Sequence, residues 1–462
     1  MGIPEGIETV VGLVPGQGSY RRGCLDAFRQ REDANVAEVF ETIDTISTES
    51  LGRKVTPLVF GANAPEADEL LTRDPDVLQL ATFGVSVSIF RVLASRGVRP
   101  EILLGHSFGE FAALVCGGAY SLADGVRMLC HRGALLHGLA EDGVLGPPGG
   151  RMLSLSCNRE RAGLVLDLLG EATLTVAVEN GHGQTVVSGS SDAVGRLAGV
   201  AAALGIDTRV LTSPYPFHNR LLAGMGSLFA EKAAGLRQQP LEIPVFSPIT
   251  GRFYRDSDRL AELLSAHLVQ PVRFGSAIGQ LSRGRAAIYL ELGGGSALTS
   301  LVSQISSNAT CLAPLRGGDA DVRIRHVVDF LRGGRQDSEP VGFDADAADS
   351  VPTARRPAEV AKGTGTKLPE AVVRVESAER EDVLATLRGI FAEALEYPEE
   401  VFTGESELEA DLGIDSLRQT ELVTRLVTRF DLPSPAGGSL GARATVDSVV
   451  DLIVTELSRS SR

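Results

Sequence analysis

Short apolar runs alternate with helical patterns between residues 8 and 315. The run 10–14 predicts a strand that ends at the turn Pro15-Gly16-Gln17-Gly18, and the run 102–104 predicts a second strand. A helical pattern follows this second strand over residues 111–114. Because strands that alternate with helices are typical of layered α/β domains, we predict an α/β fold for this part of the chain.

The pattern changes between Pro147 and Pro214, where the strands and helices follow a different order. Strand-like runs occur at 152–156, 173–178 and 185–188, and helical patterns occur at 159–169 and 191–204. These elements are enough for a small α+β subdomain at about 148–213, inserted into the larger domain 8–315.

The C-terminal third of the chain differs in composition from the rest. Residues 335–378 are polar and rich in Pro, Gly, Asp and Thr, which predicts a flexible linker. Residues 379–462 show helical periodicity at 383–395, 417–430 and 445–457. This pattern predicts a separate all-α domain, a helical bundle.

Composition and charge argue against several classes of partner. The net charge is −15 without a run of Lys or Arg, so we expect neither nucleic acid nor an anionic membrane as a partner. No stretch approaches the about 18 apolar residues of a membrane span, and the N-terminus lacks a basic segment followed by an apolar one. The five scattered cysteines match neither a metal spacing nor a disulfide framework, so we expect no metal site and a cytoplasmic location.

Ser107 is the first candidate for chemistry. It lies in Gly105-His106-Ser107-Phe108-Gly109-Glu110, directly after the apolar run 102–104 and before a predicted helix. Glycines two positions before and after a serine permit the strained turn of a nucleophile elbow, and the helix that follows directs N–H groups at the site. The same short pattern also occurs in turns with a purely structural role, so other motifs must decide whether Ser107 is catalytic or structural.

Several further motifs follow one another along the chain. They are Pro15-Gly16-Gln17-Gly18-Ser19, Asn180-Gly181 with Gln184-Thr185-Val186-Val187-Ser188-Gly189, Pro216-Phe217-His218, and Gln270-Pro271-Val272-Arg273-Phe274. Over residues 10–315 the chain thereby resembles the malonyl-CoA:acyl-carrier-protein transacylases and the acyltransferase domains of polyketide synthases. The resemblance implies an α/β-hydrolase-like core with an inserted ferredoxin-like subdomain, and ping-pong transfer through an acyl-enzyme.

The resemblance also implies a role for individual residues. Ser107 would be the nucleophile, and His218 would be the general base and later the acid. The backbone N–H groups of Gln17 and Phe108 would form the oxyanion hole. The backbone carbonyl of His267 would orient the imidazole; the family has Asn or Gln at that position, but every residue type provides a carbonyl.

The acyl group depends on Arg132 and on the residues before His218. Arg132 matches the family arginine that pairs with the free carboxylate of malonyl-type substrates, because a guanidinium fits a planar carboxylate through two parallel hydrogen bonds. A surface arginine on a helix is the structural alternative. Phe217 matches the malonyl pattern, and Phe217 and Phe108 should both fill space that an α-substituent would need, whereas Tyr215 matches the methylmalonyl pattern. We expect malonyl-CoA or a related dicarboxylic acyl-CoA as substrate, with methylmalonyl and other acyl units as alternatives.

Ser416 is the second candidate for chemistry. It lies in Asp415-Ser416-Leu417, after Leu412-Gly413-Ile414 and at the start of an amphipathic helical pattern. Over residues 380–458 the chain resembles acyl carrier proteins, in which this serine bears covalent 4'-phosphopantetheine. The resemblance implies a phosphopantetheinyl transferase as partner, and a ketosynthase or other assembly-line enzymes in trans. The alternative is that Asp415-Ser416 is only a helix N-cap.

Two other functions are open to the same residues. An elbow serine also serves esterases and thioesterases, but their triads add an acidic residue and place the histidine near the domain end, whereas His218 lies well before it. A binding module would have a catalytically silent first domain. The presence of all the predicted catalytic and substrate-binding residues argues against this, namely Ser107, His218, Gln17 and Arg132. The sequence therefore favours an acyltransferase joined to its own carrier, in polyketide or fatty-acid-like biosynthesis.

Overall fold

The computed structural model of the chain describes residues 7–61, 64–141, 150–213, 215–283, 286–306, 309–317, 319–333, 380–395, 402–404, 406, 408, 422, 426, 429–430 and 445–460. The chain divides into two compact units, Met1–Ser350 and Val351–Arg462. The predicted linker at 335–378 lies outside the described residues.

The first unit alternates strands with helices, which confirms the predicted α/β class. Its strands are β1 (Ile7–Val14), β2 (Ile102–Gly105), β3 (Gly150–Leu155), β4 (Thr175–Glu179), β5 (Thr185–Ser190), β6 (Thr208–Leu211), β7 (Val245–Ser247), β8 (Arg252–Phe253), β9 (Val272–Arg273), β10 (Ala286–Glu291) and β11 (Thr310–Leu312). Its helices are α1 (Asp26–Gln30), α2 (Ala34–Leu51), α3 (Thr56–Val59), α4 (Ala67–Arg73), α5 (Pro75–Ser95), α6 (Gly109–Cys116), α7 (Leu122–Glu141), α8 (Arg159–Leu169), α9 (Ser191–Ala203), α10 (Ala223–Ala234), α11 (Leu260–Ala266), α12 (Phe274–Leu281), α13 (Ala297–Ile305) and α14 (Ala320–Gly333), with a 3-10 helix at Arg220–Leu222.

The sheet of the large domain has the spatial order β11–β10–β1–β2–β7–β8. Neighbouring strands are parallel, except that β8 is antiparallel to β7. In the central pair Val14 lies opposite Gly105, so β1 and β2 end at the same level. The loops that follow these two strands therefore meet at the carboxyl edge of the sheet, where open α/β sheets bind their ligands.

Apolar side chains cover both faces of this sheet. Along β1, Val10 and Val14 belong to the cluster that includes α5, whereas Val11 and Leu13 belong to a cluster that also includes Val178 of the small subdomain. This alternation follows from the two-residue period of a strand, and burial on both faces explains why β1 is almost continuously apolar.

Helix α5 lies in the core of the large domain. Over its 21 residues most side chains are buried on every side of the helix, so it has no solvent face. Contrary to the sequence expectation, it is long and apolar enough to span a membrane by length and composition, but 89% of its most apolar window is buried inside the protein. Helix α5 nevertheless buries polar side chains, and two of them, Asp76 and Gln79, contact residues of α7.

The small subdomain has the element order β3–α8–β4–β5–α9–β6. Its own strands are antiparallel in the spatial order β6–β3–β5–β4. This βαββαβ order is the ferredoxin-like arrangement that the resemblance implies. Strand β9 of the large domain extends the sheet to five strands, because Val272 pairs in parallel with Val178.

The described part of the second unit contains two helices, α15 (Arg380–Leu395) and α16 (Val446–Ser460). Their buried side chains share one apolar cluster with isolated residues of the segment between them, namely Phe402, Leu408, Leu422, Leu426 and Phe430. Ser416 and most of the predicted helix 417–430 lie outside the described residues. The all-α bundle therefore stays a prediction.

Candidate active site

Ser107 occupies the sharp turn between β2 and α6. Its φ angle of +52° lies in the left-handed region that residues other than glycine rarely adopt. Two glycines make the turn possible: a Cβ at Gly105 would lie 2.4 Å from Cα of Glu110, and a Cβ at Gly109 would lie 2.0 Å from the carbonyl oxygen of Val14. The turn is a nucleophile elbow, with its serine at the carboxyl end of β2.

We expect Gly109→Ala to destabilise the large domain by about 2–4 kcal/mol, because the new methyl group would meet backbone atoms that cannot move aside. Thermal unfolding followed by circular dichroism measures the loss. Gly163→Ala is the matched control, since a Cβ at position 163 in α8 has open space around it, and alanine is favoured there by up to about 1 kcal/mol. An unchanged unfolding temperature for Gly109→Ala would contradict this account of the elbow.

His218 lies against Ser107. Its Nε2 is 2.6 Å from Ser107 Oγ, and its Nδ1 is 2.9 Å from the backbone carbonyl oxygen of Gln270. Because a carbonyl only accepts hydrogen bonds, Nδ1 carries the proton, and Nε2 of the neutral ring accepts a hydrogen bond from the serine hydroxyl. His218 also has a positive φ, +59°. The three groups have the geometry of a nucleophile, a base and an orienting group.

The orienting carbonyl belongs to Gln270 and not to His267, so that prediction was wrong. After α11 the chain makes a tight turn, in which the N–H groups of Val269 and Gln270 both donate to the carbonyl of Ala266. The turn brings the carbonyl of residue 270, and not that of residue 267, to the imidazole. The His267 side chain is buried, and its Nε2 lies 3.1 Å from Oε2 of Glu110.

Burial determines the charge of His218, whose side chain is only 2% exposed. Burial first, and then the neighbouring His267, lowers the pKa of His218 to about 3, while the Gln270 carbonyl acts in the opposite direction. The imidazole is therefore neutral at physiological pH. Its Nε2 remains available to receive a proton.

The loop after β1 lies beside the elbow. A Cβ at Gly16 would lie 2.9 Å from the carbonyl oxygen of His106 and 3.8 Å from the backbone nitrogen of Phe108. The two loops are therefore in close contact, as expected from the equal level of the strand ends. This contact brings Gln17 and Phe108, the residues predicted to form an oxyanion hole, to the same edge of the sheet as Ser107.

Arg132 is a buried residue of α7, 6% exposed. Its Nη1 donates to Gln79 Oε1 at 2.7 Å, and its guanidinium carbon lies 4.7 Å from the ring centre of Phe217 and 5.6 Å from that of Phe108. Within the described chain, no Asp or Glu lies at ion-pair distance from this guanidinium. Burial lowers the pKa of Arg132 to about 10, which leaves it charged at neutral pH. A buried cation without a carboxylate partner is suited to binding an anion.

Two family models match the chain. Residues 13–314 match the acyl transferase domain, and residues 385–453 match the phosphopantetheine attachment site. The chain belongs to the acyl transferase family. The cofactor of the second region is covalently attached 4'-phosphopantetheine. Ser416 falls within that matched region.

The relatives of this acyltransferase include large polyketide synthases. The chain is 31% identical over 311 residues to polyketide synthase GfsB of Streptomyces halstedii, an alignment that covers 65% of this chain and 5% of the relative. It is 30% identical over 292 residues to the mycoketide-CoA synthase of Mycobacterium tuberculosis, which covers 63% of this chain and 7% of the relative. The chain therefore spans only a small fraction of the length of these proteins.

Solved structures share the acyltransferase fold. The acyltransferase domain from the second module of the salinomycin polyketide synthase has a TM-score of 0.60 and 28% identity, over 71% of this chain and 74% of that one. The malonyl-CoA:acyl carrier protein transacylase from Xanthomonas oryzae has a TM-score of 0.61 and 27% identity, over 71% of this chain and 99% of that one. These likenesses confirm the α/β acyltransferase fold that the motifs predicted.

Two aromatic residues of the acyltransferase domain lie next to the histidine and the guanidinium. Tyr215 and Phe217 are both buried, and their ring centres lie 5.7 Å apart in an edge-to-face arrangement. Phe217 directly precedes His218 and also lies against Arg132. The structure thus brings the predicted pocket residues together with the serine–histidine pair.

Sequence reasoning assigned no role to Gln79, Glu110 or Gln270, although the last two lie in motifs that it singled out. Glu110 is fully buried and accepts hydrogen bonds from the hydroxyls of Tyr254, at 2.5 Å, and Ser247, at 3.2 Å, which join α6 to the end of β7 and to the residue that follows β8. Gln79 had a detectable signal, because it is a polar residue in the second turn of a largely apolar helix. Gln270 acts through its backbone, so its side-chain identity carries no signal.

Proposed function

We propose that the acyltransferase domain transfers a malonyl or related dicarboxylic acyl group from CoA to Ser107 and on to a carrier, in polyketide or fatty-acid-like biosynthesis. The observation that carries this proposal is the buried, charged Arg132, which has no carboxylate at ion-pair distance among the described residues and contacts Phe217, the residue directly before the base His218. A simple acyl group offers this guanidinium no partner. A dicarboxylic acyl thioester offers a free carboxylate, to which the guanidinium can donate two parallel hydrogen bonds.

Acylation takes place at Ser107 Oγ. His218 Nε2 takes the hydroxyl proton while Oγ attacks the thioester carbon, so that the Oγ–C bond forms and the carbonyl electrons move onto oxygen. The N–H groups of Gln17 and Phe108 stabilise this oxyanion. As the C–S bond breaks, protonated His218 gives its proton to the CoA sulfur, which leaves acyl-Ser107 and free CoA.

The acyl group then leaves Ser107 for a carrier. When bound at Ser416, 4'-phosphopantetheine supplies the thiol that accepts the acyl group. His218 Nε2 first takes the proton of the accepting thiol as its sulfur attacks the ester carbon, and then returns that proton to Ser107 Oγ when the ester C–O bond breaks, which restores the free serine. A carrier in the same chain has a high effective concentration at the site, which favours loading of the chain's own carrier.

The partners belong to the same proposal. Modification of Ser416 requires a phosphopantetheinyl transferase, and the loaded carrier would serve a ketosynthase or other assembly-line enzymes in trans; the attachment-site match and the polyketide synthases among the relatives support both. An all-α bundle for residues 379–462 fits the apolar cluster that α15 and α16 share. The five free cysteines support a cytoplasmic location.

Intact-mass spectrometry tests the proposal. Phosphopantetheinylated protein is exposed to equimolar malonyl-, methylmalonyl- and acetyl-CoA, beside Ser107→Ala and Ser416→Ala. We expect malonyl adducts on both serines of the unaltered chain, on Ser107 alone in Ser416→Ala, and on neither site in Ser107→Ala. Because the two variants remove different acceptors, they separate acylation of the enzyme from loading of the carrier.

Each other result excludes part of the proposal. A methylmalonyl or acetyl adduct would keep the mechanism and overturn the choice of acyl group. Free acid without a carrier adduct would identify a hydrolase. Carrier loading that is unchanged in Ser107→Ala would mean that the first domain is catalytically silent.

The low pKa of His218 predicts an unusual pH profile. The base is lost only when the pH falls through the depressed pKa of about 3, so the acylation rate at about pH 5.5 should stay within about twofold of the rate at about pH 7.5. Quenched-flow measurement of acyl-Ser107 formation in Ser416→Ala checks this. A loss of about tenfold over the same interval would show that His218 titrates near the ordinary histidine value of about 6.5.

A further inference from the structure

A second polar contact links α5 and α7, one turn of helix from the contact between Gln79 and Arg132. Asp76 precedes Gln79 on α5, and His137 follows Arg132 on α7. His137 Nε2 lies 2.7 Å from Asp76 Oδ2. The two helices are therefore joined by two adjacent polar pairs, and only one of them contains the guanidinium.

Asp76 lies close to Arg132 in a confined space. The residue is 8% exposed, and a Cβ at Gly133 would lie 2.5 Å from Asp76 Oδ1, so glycine next to Arg132 leaves the room that this carboxylate occupies. Burial lowers the pKa of Arg132, and the charge of Asp76 opposes that shift. Burial raises the pKa of Tyr215, and the charge of Asp76 raises it further. Asp76 thus acts on the guanidinium and on the pocket tyrosine without forming an ion pair with Arg132.

The negative charge of Asp76 weakens the binding of a carboxylate substrate at Arg132. The Asp76 carboxylate repels a second carboxylate that approaches the guanidinium, and it offers Arg132 a competing partner inside the protein. His137 counters both effects. Because a carboxylate only accepts hydrogen bonds, His137 Nε2 donates to Oδ2, which offsets part of the carboxylate charge and keeps this oxygen from turning to Arg132.

We propose that His137 is a positioning residue for substrate specificity, which holds the Asp76 carboxylate by a hydrogen bond and so leaves Arg132 free for the carboxylate of a dicarboxylic acyl group. The inference rests on the proposed function. His137 acts through Asp76 and does not touch the substrate.

Steady-state loading of the full chain with malonyl-CoA and with acetyl-CoA tests the inference. We expect His137→Leu to raise KM for malonyl-CoA about tenfold, because an Asp76 carboxylate that is no longer held competes with the substrate for Arg132, an effect of that order at an effective dielectric constant of about 20. KM for acetyl-CoA and both kcat values should change less than about twofold. His326→Leu, at an exposed position of α14, is the matched control and should change neither donor.

A rescue variant separates this role from a general structural one. In Asp76→Asn/His137→Leu the competing charge is absent, so KM for malonyl-CoA should return to within about twofold of the unaltered chain. A KM for malonyl-CoA in the double variant as high as that of His137→Leu would overturn the proposal. An equal rise of KM for both donors, or a lowered unfolding temperature in His137→Leu, would overturn it as well.

The unaltered chain distinguishes the two proposals. If it does not prefer malonyl-CoA to acetyl-CoA, the proposed function fails. If it does prefer malonyl-CoA and His137→Leu leaves that KM unchanged, only the role of His137 fails.

Discussion

His218→Ala should slow the acylation of Ser107 by about a thousandfold, within the range of about 10²- to 10⁴-fold that general-base catalysis supplies. His218 Nε2 lies 2.6 Å from the serine oxygen, and burial keeps the ring neutral. Without this base the serine hydroxyl keeps its proton during attack, which makes it a weak nucleophile. The proposed oxyanion donors, Gln17 and Phe108, stay in place, so the rate should remain above that of Ser107→Ala.

Quenched-flow mass spectrometry of acyl-Ser107 in a Ser416→Ala background measures this loss. His182→Ala is the matched control, since His182 is exposed on the small subdomain and should leave the rate unchanged. Acylation of His218→Ala at the normal rate would show that another group takes the proton. An unfolding temperature close to that of the unaltered chain excludes misfolding as the cause of a slow rate.

Arg132→Met should lower kcat/KM for malonyl-CoA by about 10²- to 10³-fold, because the carboxylate would enter a buried pocket with no cation to meet it. Acetyl-CoA has no free carboxylate, so its kcat/KM should fall by less than about tenfold. Methionine fills much of the space between Phe108 and Phe217 without a charge. We therefore expect no loss of stability from this replacement.

Competition between the two donors, with the acyl adduct read by mass, measures the change in preference. Arg127→Met is the matched control, because Arg127 lies on the same helix but is partly exposed and paired with Asp124 at 3.2 Å. Equal losses for the two donors would show that Arg132 supports the fold of the pocket and does not select the acyl group.

The elbow could be predicted from the sequence because its backbone accepts few residue types. At Gly105 and Gly109 a Cβ would collide with backbone atoms, so the motif reports the geometry directly. The alternation of apolar runs predicted the α/β class for a similar reason, since strands buried on both faces must be continuously apolar. Features with strict local requirements are therefore visible in a single sequence.

The orienting carbonyl and the buried helix could not be predicted in this way. Every residue carries a carbonyl, so only the turn after α11 shows that Gln270 faces the imidazole. The composition of α5 fits a membrane span and a core helix equally well, and only the elements packed around it decide. Ser416 stays a prediction from its motif, because it lies outside the described residues.

The pairing of β9 with β4 connects the small subdomain to the carbonyl that orients the catalytic base. β9 begins two residues after Gln270, whose carbonyl holds the imidazole, and it is hydrogen-bonded to the sheet of the small subdomain. A hinge rotation of that subdomain would pull on this segment and draw the carbonyl away from His218. We therefore expect the pairing of β9 with β4 to stay intact during turnover.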